Sequence, residues 1–271
     1  MKHSHRKEVR DTSFETPLLV QDALALRSRE TRDARHQFLI EGVRAVNLAM
    51  EFDALETLFY CPAPGDDGTR FLVAEVRSRG TRCLRVEDAD IRAMAQGEDA
   101  QNVVGIARQQ WKTPAEAFAQ DGVWLALETV RNDGNLGSML RTSEAAGARG
   151  VIACGPEVDF WAPKSVRAAM GALFSQTLVR ASWKDLLAFK SRANAHWIGT
   201  SLENARPYTS LTYSKNFWLW MGDERKGLSA RCLEACDELA YIPMSGRVDS
   251  LNVGVAAGVV LFGAQFKPRT S

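Results

Sequence analysis

Short apolar segments alternate with longer amphipathic segments along most of this chain, a pattern that predicts β-strands alternating with α-helices. In the second half, strands are predicted at residues 124–130, 150–153, 177–179, 197–200, 217–221 and 239–242. Helices are predicted between and after them, at residues 136–146, 163–170, 184–193, 229–236 and 253–266. Short apolar strands joined through helices are typical of a parallel sheet covered on both faces, so the expected fold class is α/β.

The first half shows the same alternation on a smaller scale. Strands are predicted there at residues 38–40, 55–60, 83–86 and 103–107, and helices at residues 18–35, 42–52, 70–78 and 89–95. A turn-rich loop is expected at residues 62–68, which contain proline and glycine. We therefore predict, in chain order, a polar tail, a small α/β domain, a linker and a second α/β domain, at residues 1–18, 19–111, 112–122 and 123–271.

The composition fits a soluble globular protein with room for two domains, at 271 residues, 45% hydrophobic and 25% charged. A net charge of +1 is a weak signal for nucleic acid, because dedicated duplex-binding proteins are more basic. A local basic face can still hold RNA. The stretch after Leu26 is rich in arginine, but Glu30 and Asp33 lie within it, so both a solvated helix face and an RNA contact stay open.

Membrane and metal sites are not expected. The chain has no uncharged apolar run as long as a membrane span, and its polar first residues lead to no apolar signal segment, so the expected location is the cytoplasm. Its five cysteines and four histidines lack zinc-like spacing, which predicts no metal site.

Candidate chemistry is expected in the loops after the strands, since ligands bind at the carboxyl ends of the strands in such sheets. Neither G-x-G-x-x-G after a strand nor G-x-x-x-x-G-K-[ST] occurs, which disfavours a dehydrogenase or an NTPase. One loop, at residues 131–142, begins with a turn sequence and leads into a helix that carries Arg141. A second brackets four charged residues between Gly222 and Gly227, and a third, at residues 242–258, precedes a helix rich in small residues. Each loop alone has another interpretation. Arg141 fits a solvated surface cation, the second loop fits a plain turn with Ser229 as the helix cap, and the helix rich in small residues is either tightly buried or an interface.

Taken in order, the three loops read N-x-G-x-x-x-R, G-x-E-x-x-G-L and I-P-M…S-L-N-V. This set closely resembles the three motifs of the SpoU (TrmH-type) RNA ribose methyltransferases. Residues 163–174 look like the family's helix after the second strand, and residues 29–44 are similar to its L30e-like RNA substrate domain. The resemblance implies an α/β SPOUT domain with a C-terminal trefoil knot, S-adenosylmethionine as cofactor, an RNA substrate and a homodimer whose active site draws on both subunits.

The resemblance also implies roles for individual residues. The expected catalytic residues are Arg141, Asn135, Glu224, Ser250 and Asn252, and the expected cofactor-binding residues are Thr200, Gly222, Ile242, Met244 and Leu251. The candidates for RNA contact are Arg27, Arg29, Arg32, Arg35 and Arg44.

A ribose hydroxyl is a weak acid, and no histidine lies in the motifs to act as the base. Arginine is a poor proton acceptor, so our hypothesis is that Arg141 stabilises negative charge on the 2′-oxygen and binds a phosphate. Glu224 or a water would take the proton, while Asn135, Ser250 and Asn252 orient the site.

Two positions depart from the family pattern: Asp133 stands where proline is common, and Gly254 where a second serine is common. Asp133 still suits a turn, whereas Gly254 removes a hydroxyl. The N-terminal domain and residues 170–174 look more like the ribosomal-RNA branch than the transfer-RNA branch. The alternatives are a tRNA 2′-O-methyltransferase, a base methyltransferase on a related fold, and a non-catalytic RNA-binding or assembly factor.

Overall fold

The computed structural model describes residues 16–95, 101–119, 121–193 and 195–266. The chain divides into two compact units. The N-terminal unit contains residues up to 50 together with 55–108, and the C-terminal unit contains residues 51–54 together with those from 109 onward. No helix in the described part of the chain combines the length and the apolarity needed to cross a membrane.

The N-terminal unit is built around a four-stranded mixed sheet. Its strands are β1 (Gln37–Glu41), β2 (Leu55–Tyr60), β3 (Arg82–Arg85) and β4 (Val103–Arg108), and its helices are α1 (Thr16–Ala25), α2 (Arg29–Arg35), α3 (Val43–Glu51), α4 (Asp67–Ser78) and α5 (Asp88–Met94). The sheet order is β1-β4-β2-β3, with β4 antiparallel to both of its neighbours and β2 parallel to β3. Apolar side chains from one sheet face pack with α1 and α5, so this unit has its own core.

The C-terminal unit contains an eight-stranded sheet in which every pairing is parallel. Its strands are β5 (Trp111–Lys112), β6 (Trp124–Glu128), β7 (Gly150–Cys154), β8 (Thr177–Arg180), β9 (His196–Thr200), β10 (Arg206–Pro207), β11 (Phe217–Met221) and β12 (Glu238–Tyr241). Its helices are α6 (Pro114–Ala117), α7 (Asp133–Ala145), α8 (Pro163–Ala169), α9 (Ala172–Ser175), α10 (Trp183–Ala193), α11 (Ala230–Ala235) and α12 (Val253–Gln265). The strand order is β10-β12-β9-β11-β6-β7-β8-β5.

The central strands of this sheet, β6, β7 and β11, are buried at every position, as expected for parallel strands covered on both faces. All seven tryptophans of the chain lie in the C-terminal unit. Trp197 stacks on Trp218 with ring centroids 5.4 Å apart, and Trp183 meets Trp220 edge-on at 5.3 Å. These rings form the core on one face of the sheet.

Three elements differ from the sequence prediction. The helix predicted at 18–35 is two helices, because the chain turns at residues 26–28 and buries Leu26. The predicted linker at 112–122 contains helix α6, closed by a capping box between Thr113 and Glu116, and its first residue belongs to β5, which pairs with β8. Helix α8 ends at a left-handed pair, Met170 (φ +52°) and Gly171 (φ +92°), after which the unpredicted α9 begins.

Strand β10, which pairs with β12, and the short 3-10 turn that follows it were also not predicted. Other differences are at element ends. Helix α4 begins at Asp67, inside the predicted loop at 62–68, because the Asp66 side chain caps it by accepting the Thr69 N–H at 3.0 Å. The predicted tail extends to residue 18, but α1 already begins at Thr16; residues 1–15 lie outside the described part.

Candidate active site

The three motif loops follow strands β6, β11 and β12, whose carboxyl ends share one edge of the parallel sheet. The first loop passes directly into α7. The Asn132 side chain caps this helix by accepting the Asn135 N–H at 3.0 Å. Gly137 on α7 is required by packing, since a Cβ there would lie 2.3 Å from the carbonyl oxygen of Ser165 on α8. The glycine of the first motif therefore serves the close approach of two helices.

A chain of side-chain hydrogen bonds joins the three motifs. Asn252 Nδ2 donates to Asn135 Oδ1 at 2.9 Å, and Asn135 Nδ2 donates to Glu224 Oε1 at 2.9 Å. The same Glu224 oxygen accepts the Asn132 N–H at 3.3 Å. We call Asn252, Asn135 and Glu224 the amide chain. Its members come from residues up to 117 positions apart, so only the fold brings them together.

The far end of the amide chain is also a helix cap. Asn252 Oδ1 accepts the N–H groups of Gly254 at 2.9 Å and Val255 at 3.3 Å, which fixes the start of α12. Because Oδ1 accepts from backbone N–H groups and Nδ2 donates to Asn135 Oδ1, the orientation of the Asn252 amide is set.

Arg141 projects from α7 into solvent. Its guanidinium makes no hydrogen bond or ion pair with any residue in the described ranges. An unpaired cation on the helix that also carries Asn135 is free to bind an anion or a developing negative charge.

The second loop is a rigid turn. The backbone groups of Asp223 and Gly227 bond each other in both directions, at 3.0 and 2.9 Å. The Asp223 carboxylate accepts the N–H groups of Lys226 and Arg225 at 2.9 Å each, and these bonds lower the pKa of Asp223 below its usual value. A Cβ on Gly222 would lie 2.2 Å from the backbone of Gly227, so this glycine is required by the loop's own closure.

The predicted cofactor residues of the third loop lie on irregular backbone. Ile242 and Met244 are half-buried, and Leu251 is 39% exposed. The backbone N–H and C=O groups of residues 242–251 make no hydrogen bonds within the described ranges. Ser250 donates to Asp249 at 3.2 Å and is not part of the amide chain. Thr200 donates to the Trp220 carbonyl at 3.1 Å, linking β9 to β11.

The two departures from the family pattern are accommodated differently. Asp133 is the first residue of α7, where an acidic side chain favours the helix dipole, and its carbonyl accepts the Ser165 hydroxyl at 3.0 Å. Gly254 is buried in α12. A Cβ there would lie 3.2 Å from Asn252 Oδ1 and 3.5 Å from Ser138 Oγ, so the missing side chain faces the amide chain.

The arginines proposed for RNA contact fall into distinct environments. Arg32 is only 3% exposed and donates to the carbonyls of Leu26 at 3.1 Å and Arg27 at 2.8 Å, so it is a structural residue that holds the turn between α1 and α2. This geometry argues against a role for Arg32 in RNA contact.

The other four arginines proposed for RNA contact are placed as follows: Arg27 donates to the carbonyls of Ala93 and Ala95, Arg29 pairs with Asp33 at 3.6 Å, Arg35 pairs with Asp22 at 2.9 Å, and Arg44 is exposed with no partner in the described ranges.

Glu128, at the end of β6, was not identified from the sequence. Its side chain is 1% exposed, and it accepts the Ser229 N–H at 2.9 Å and the Ser229 hydroxyl at 2.8 Å. The signal was present, because an acidic residue inside an otherwise apolar strand must find partners when it is buried. Among the described residues, no group of His, Cys, Asp and Glu side chains is arranged to hold a metal ion.

A parallel α/β sheet with polar motif loops gathered at its carboxyl edge defines a ligand-binding α/β protein. Comparison with known families identifies two matches: residues 122–262 match the SpoU rRNA Methylase family, and residues 19–105 match the MRM3-like substrate binding domain. The chain belongs to the SpoU rRNA methylase family.

Characterised relatives align over nearly the whole chain. The 23S rRNA (guanosine(2553)-2′-O)-methyltransferase RlmP of Bacillus subtilis is 29% identical over 90% of this chain and 94% of its own length. The 23S rRNA (uridine(2479)-2′-O)-methyltransferase of Streptomyces viridochromogenes is 30% identical over 88% and 86%. The crystal structure of an AdoMet-bound rRNA methyltransferase from Sinorhizobium meliloti superposes with a TM-score of 0.84 at 32% identity, over 92% of this chain and 95% of that one.

Proposed function

We propose that this protein is an S-adenosylmethionine-dependent methyltransferase that modifies a ribose 2′-hydroxyl in 23S ribosomal RNA. The amide chain is the observation that carries the proposal. It joins residues of all three motifs through Asn135, which lies on the same helix as the unpaired Arg141. The 23S rRNA 2′-O-methyltransferases that align over most of the chain support the substrate class. We also propose a cytoplasmic location, as expected from the sequence, because the proposed substrate is ribosomal RNA.

The third loop suits the cofactor. Half-buried Ile242 and Met244 and partly exposed Leu251 offer an apolar surface, while the unpaired backbone groups of residues 242–251 can bind the polar edge of an adenine and a carboxylate or amine. When bound, S-adenosylmethionine supplies a methyl group on a sulfonium. Thr200 and Gly222 support this surface indirectly, since both are engaged with neighbouring backbone.

The residues of the chain then have defined tasks. Arg141 binds a phosphate next to the target and stabilises negative charge on the attacking 2′-oxygen. Glu224 Oε1 already accepts two hydrogen bonds, so Oε2 is the oxygen available to take the proton, directly or through a water. Asn135 and Asn252 hold this carboxylate in place. Ser250, which lies outside the amide chain, is left to contact the ribose.

In the N-terminal unit, Arg44 is the leading candidate for a phosphate contact, because it is exposed and unpaired within the described ranges. Arg29 and Arg35 can each exchange a carboxylate partner for an RNA phosphate, because exposed ion pairs contribute only about 0–1 kcal/mol to stability. Arg27 already donates to two carbonyls and is a weaker candidate.

The proposal includes a homodimer and a knotted C-terminus. Helix α12 buries Ala257, Val260 and Leu261 within its own unit but exposes an apolar stripe. The stripe consists of Val255, Phe262 and Phe266, which are 53%, 40% and 71% exposed. Such a stripe on a helix is expected to pack against a second subunit. The path of the chain supports the knot, since α12 follows β12, near one edge of the sheet, yet packs against α7, the helix that follows the central strand β6.

The test is to incubate the purified protein with S-adenosylmethionine and unmodified total RNA, digest the RNA to nucleosides and analyse them by mass spectrometry. A new 2′-O-methyl nucleoside in the ribosomal fraction, absent with Arg141→Ala, is the expected result. The same product in transfer RNA alone would reassign the substrate. A methylated base would contradict ribose chemistry, and cofactor binding without product on any RNA would favour the assembly-factor alternative.

A further inference from the structure

Glu128 is a buried carboxylate that the proposed mechanism does not use. Leaving a carboxylate out of water is costly unless its oxygens are paired. Here Oε2 accepts the Ser229 N–H and Oε1 accepts the Ser229 hydroxyl, while the Arg231 guanidinium lies 3.5 Å from Oε1. Both oxygens are thus directed at a single residue, Ser229, which ends the second motif loop.

Ser229 passes this restraint on to the loop and to the next helix. Its hydroxyl donates to Glu128 and at the same time accepts the Cys232 N–H at 3.3 Å, capping α11. At the other side of the loop, Glu224 accepts from Asn132 and Asn135. The loop at residues 222–229 is therefore tied to the segment at residues 128–135 at two points, by one carboxylate from each side.

The backbone next to Glu128 is strained. Thr129 has φ +61°, a left-handed conformation that is unfavourable for a β-branched residue. Its hydroxyl donates to the Glu128 carbonyl at 2.7 Å. Strain of this kind persists only where the surroundings fix it, and it is concentrated at functional sites. The turn directs the chain from β6 into the first motif loop.

Building on the proposed function, we propose that Glu128 is a positioning residue. By holding Ser229, it fixes the second motif loop, which bounds the cofactor-binding surface, relative to the helix that carries Arg141. Loosening this contact would weaken cofactor binding and leave RNA binding unchanged.

The test is isothermal titration of S-adenosylmethionine into the full-length protein and its variants. Glu128→Gln keeps the size of the side chain but turns one acceptor into a donor facing Ser229 or Arg231. We expect the Kd for the cofactor to rise about tenfold, as for the loss of one charge-assisted hydrogen bond. Ser229→Ala should act in the same direction, and the double variant should be less than additive, because both changes break one contact.

Two controls separate positioning from folding. Glu144→Gln makes the same chemical change on an exposed glutamate of α7 and should leave the Kd unchanged. Arg231→Gln leaves both Ser229 contacts of Glu128 in place; it removes the longer ion pair and the packing of the guanidinium over the Trp183 ring, and it should change the Kd by less than about threefold. The KM for RNA should stay at the wild-type value in all four single variants.

A purely structural role would lower the melting temperature and the fraction of binding-competent protein, seen as a reduced stoichiometry, with an unchanged Kd. That result for both Glu128→Gln and Ser229→Ala would overturn the inference. If wild-type protein bound no S-adenosylmethionine, the proposed function itself would fail, which is a distinguishable outcome.

Discussion

The two units of the chain hold their polar side chains differently. In the N-terminal unit, two of the clustered arginines are engaged locally: Arg29 pairs one helical turn away with Asp33, and Arg32 is buried against carbonyls of the preceding turn. Arg27 instead donates to carbonyls near the end of α5, which have no part in the motifs. In the C-terminal unit, the amide chain and the Glu128–Ser229 contact join residues about a hundred positions apart. A cluster of charges in the sequence is thus a poor guide to function, whereas motif residues that converge from distant segments are a good one.

The largest expected effect tests Arg141, an unpaired cation in the described part of the C-terminal unit. Arg141→Ala should reduce methyl transfer at least about 100-fold, because charge on the reacting oxygen loses its stabilising partner. Titration calorimetry should show an unchanged Kd for S-adenosylmethionine. Near-full activity in Arg141→Lys would show that the planar guanidinium is not needed, and a lost cofactor Kd in Arg141→Ala would mean that the residue is structural.

Breaking the amide chain should give the next largest effect. Asn135→Ala leaves Glu224 and Asn252 without their shared partner, and we expect kcat to fall about 10- to 100-fold. Asn252→Ala should also lower kcat and in addition cost about 1 kcal/mol of stability, because α12 loses its cap. The double variant, measured by single-turnover kinetics, should be well short of additive. Full additivity would mean that the three residues act independently.

Two arginines of the N-terminal unit provide a matched pair. Arg44→Ala should weaken RNA binding several-fold and reduce the slope of log Kd against log salt by about one, as for one lost phosphate contact. Arg32→Gln should leave that slope unchanged and lower the free energy of unfolding by about 1–3 kcal/mol, because buried carbonyls lose a charged donor. The reverse pattern in filter-binding and unfolding assays would exchange the two roles.

The smallest effect is expected at Gly254. Gly254→Ser restores a hydroxyl next to Ser138, but its Cβ requires Asn252 to shift by a few tenths of an ångström. We expect kcat to change by less than about threefold, as for substitutions that break no named interaction. A loss as large as that of Arg141→Ala would show that the glycine is needed for the geometry of the amide chain.

The sequence predicted the fold well where the spacing of apolar residues and the motifs indicated the same element. The strands at 217–221 and 150–154 and the last helix were expected within one residue of their ends, because apolar runs and small-residue periods dominate there. It failed where tertiary contacts decide the local structure. The pairing of β5 with β8 converted part of a predicted linker into sheet, and the turn at residues 26–28 depends on the buried Arg32.

The same distinction holds at the site. The motif residues were identified by resemblance, but their hydrogen-bonded order, Asn252 to Asn135 to Glu224, follows only from the fold. Glu128 was missed because nothing local in the strand indicates that Ser229, about a hundred residues later, completes its partners. The dimer and the knot stay predictions.

The distribution of tryptophan gives the protein a built-in spectroscopic asymmetry. All seven indoles belong to the C-terminal unit, and five of them, Trp124, Trp161, Trp197, Trp218 and Trp220, are fully buried. Emission excited selectively at tryptophan therefore reports the integrity of the methyltransferase sheet alone, while circular dichroism reports both units. Comparing the two signals during denaturation would reveal whether the N-terminal unit melts separately, without any label being attached.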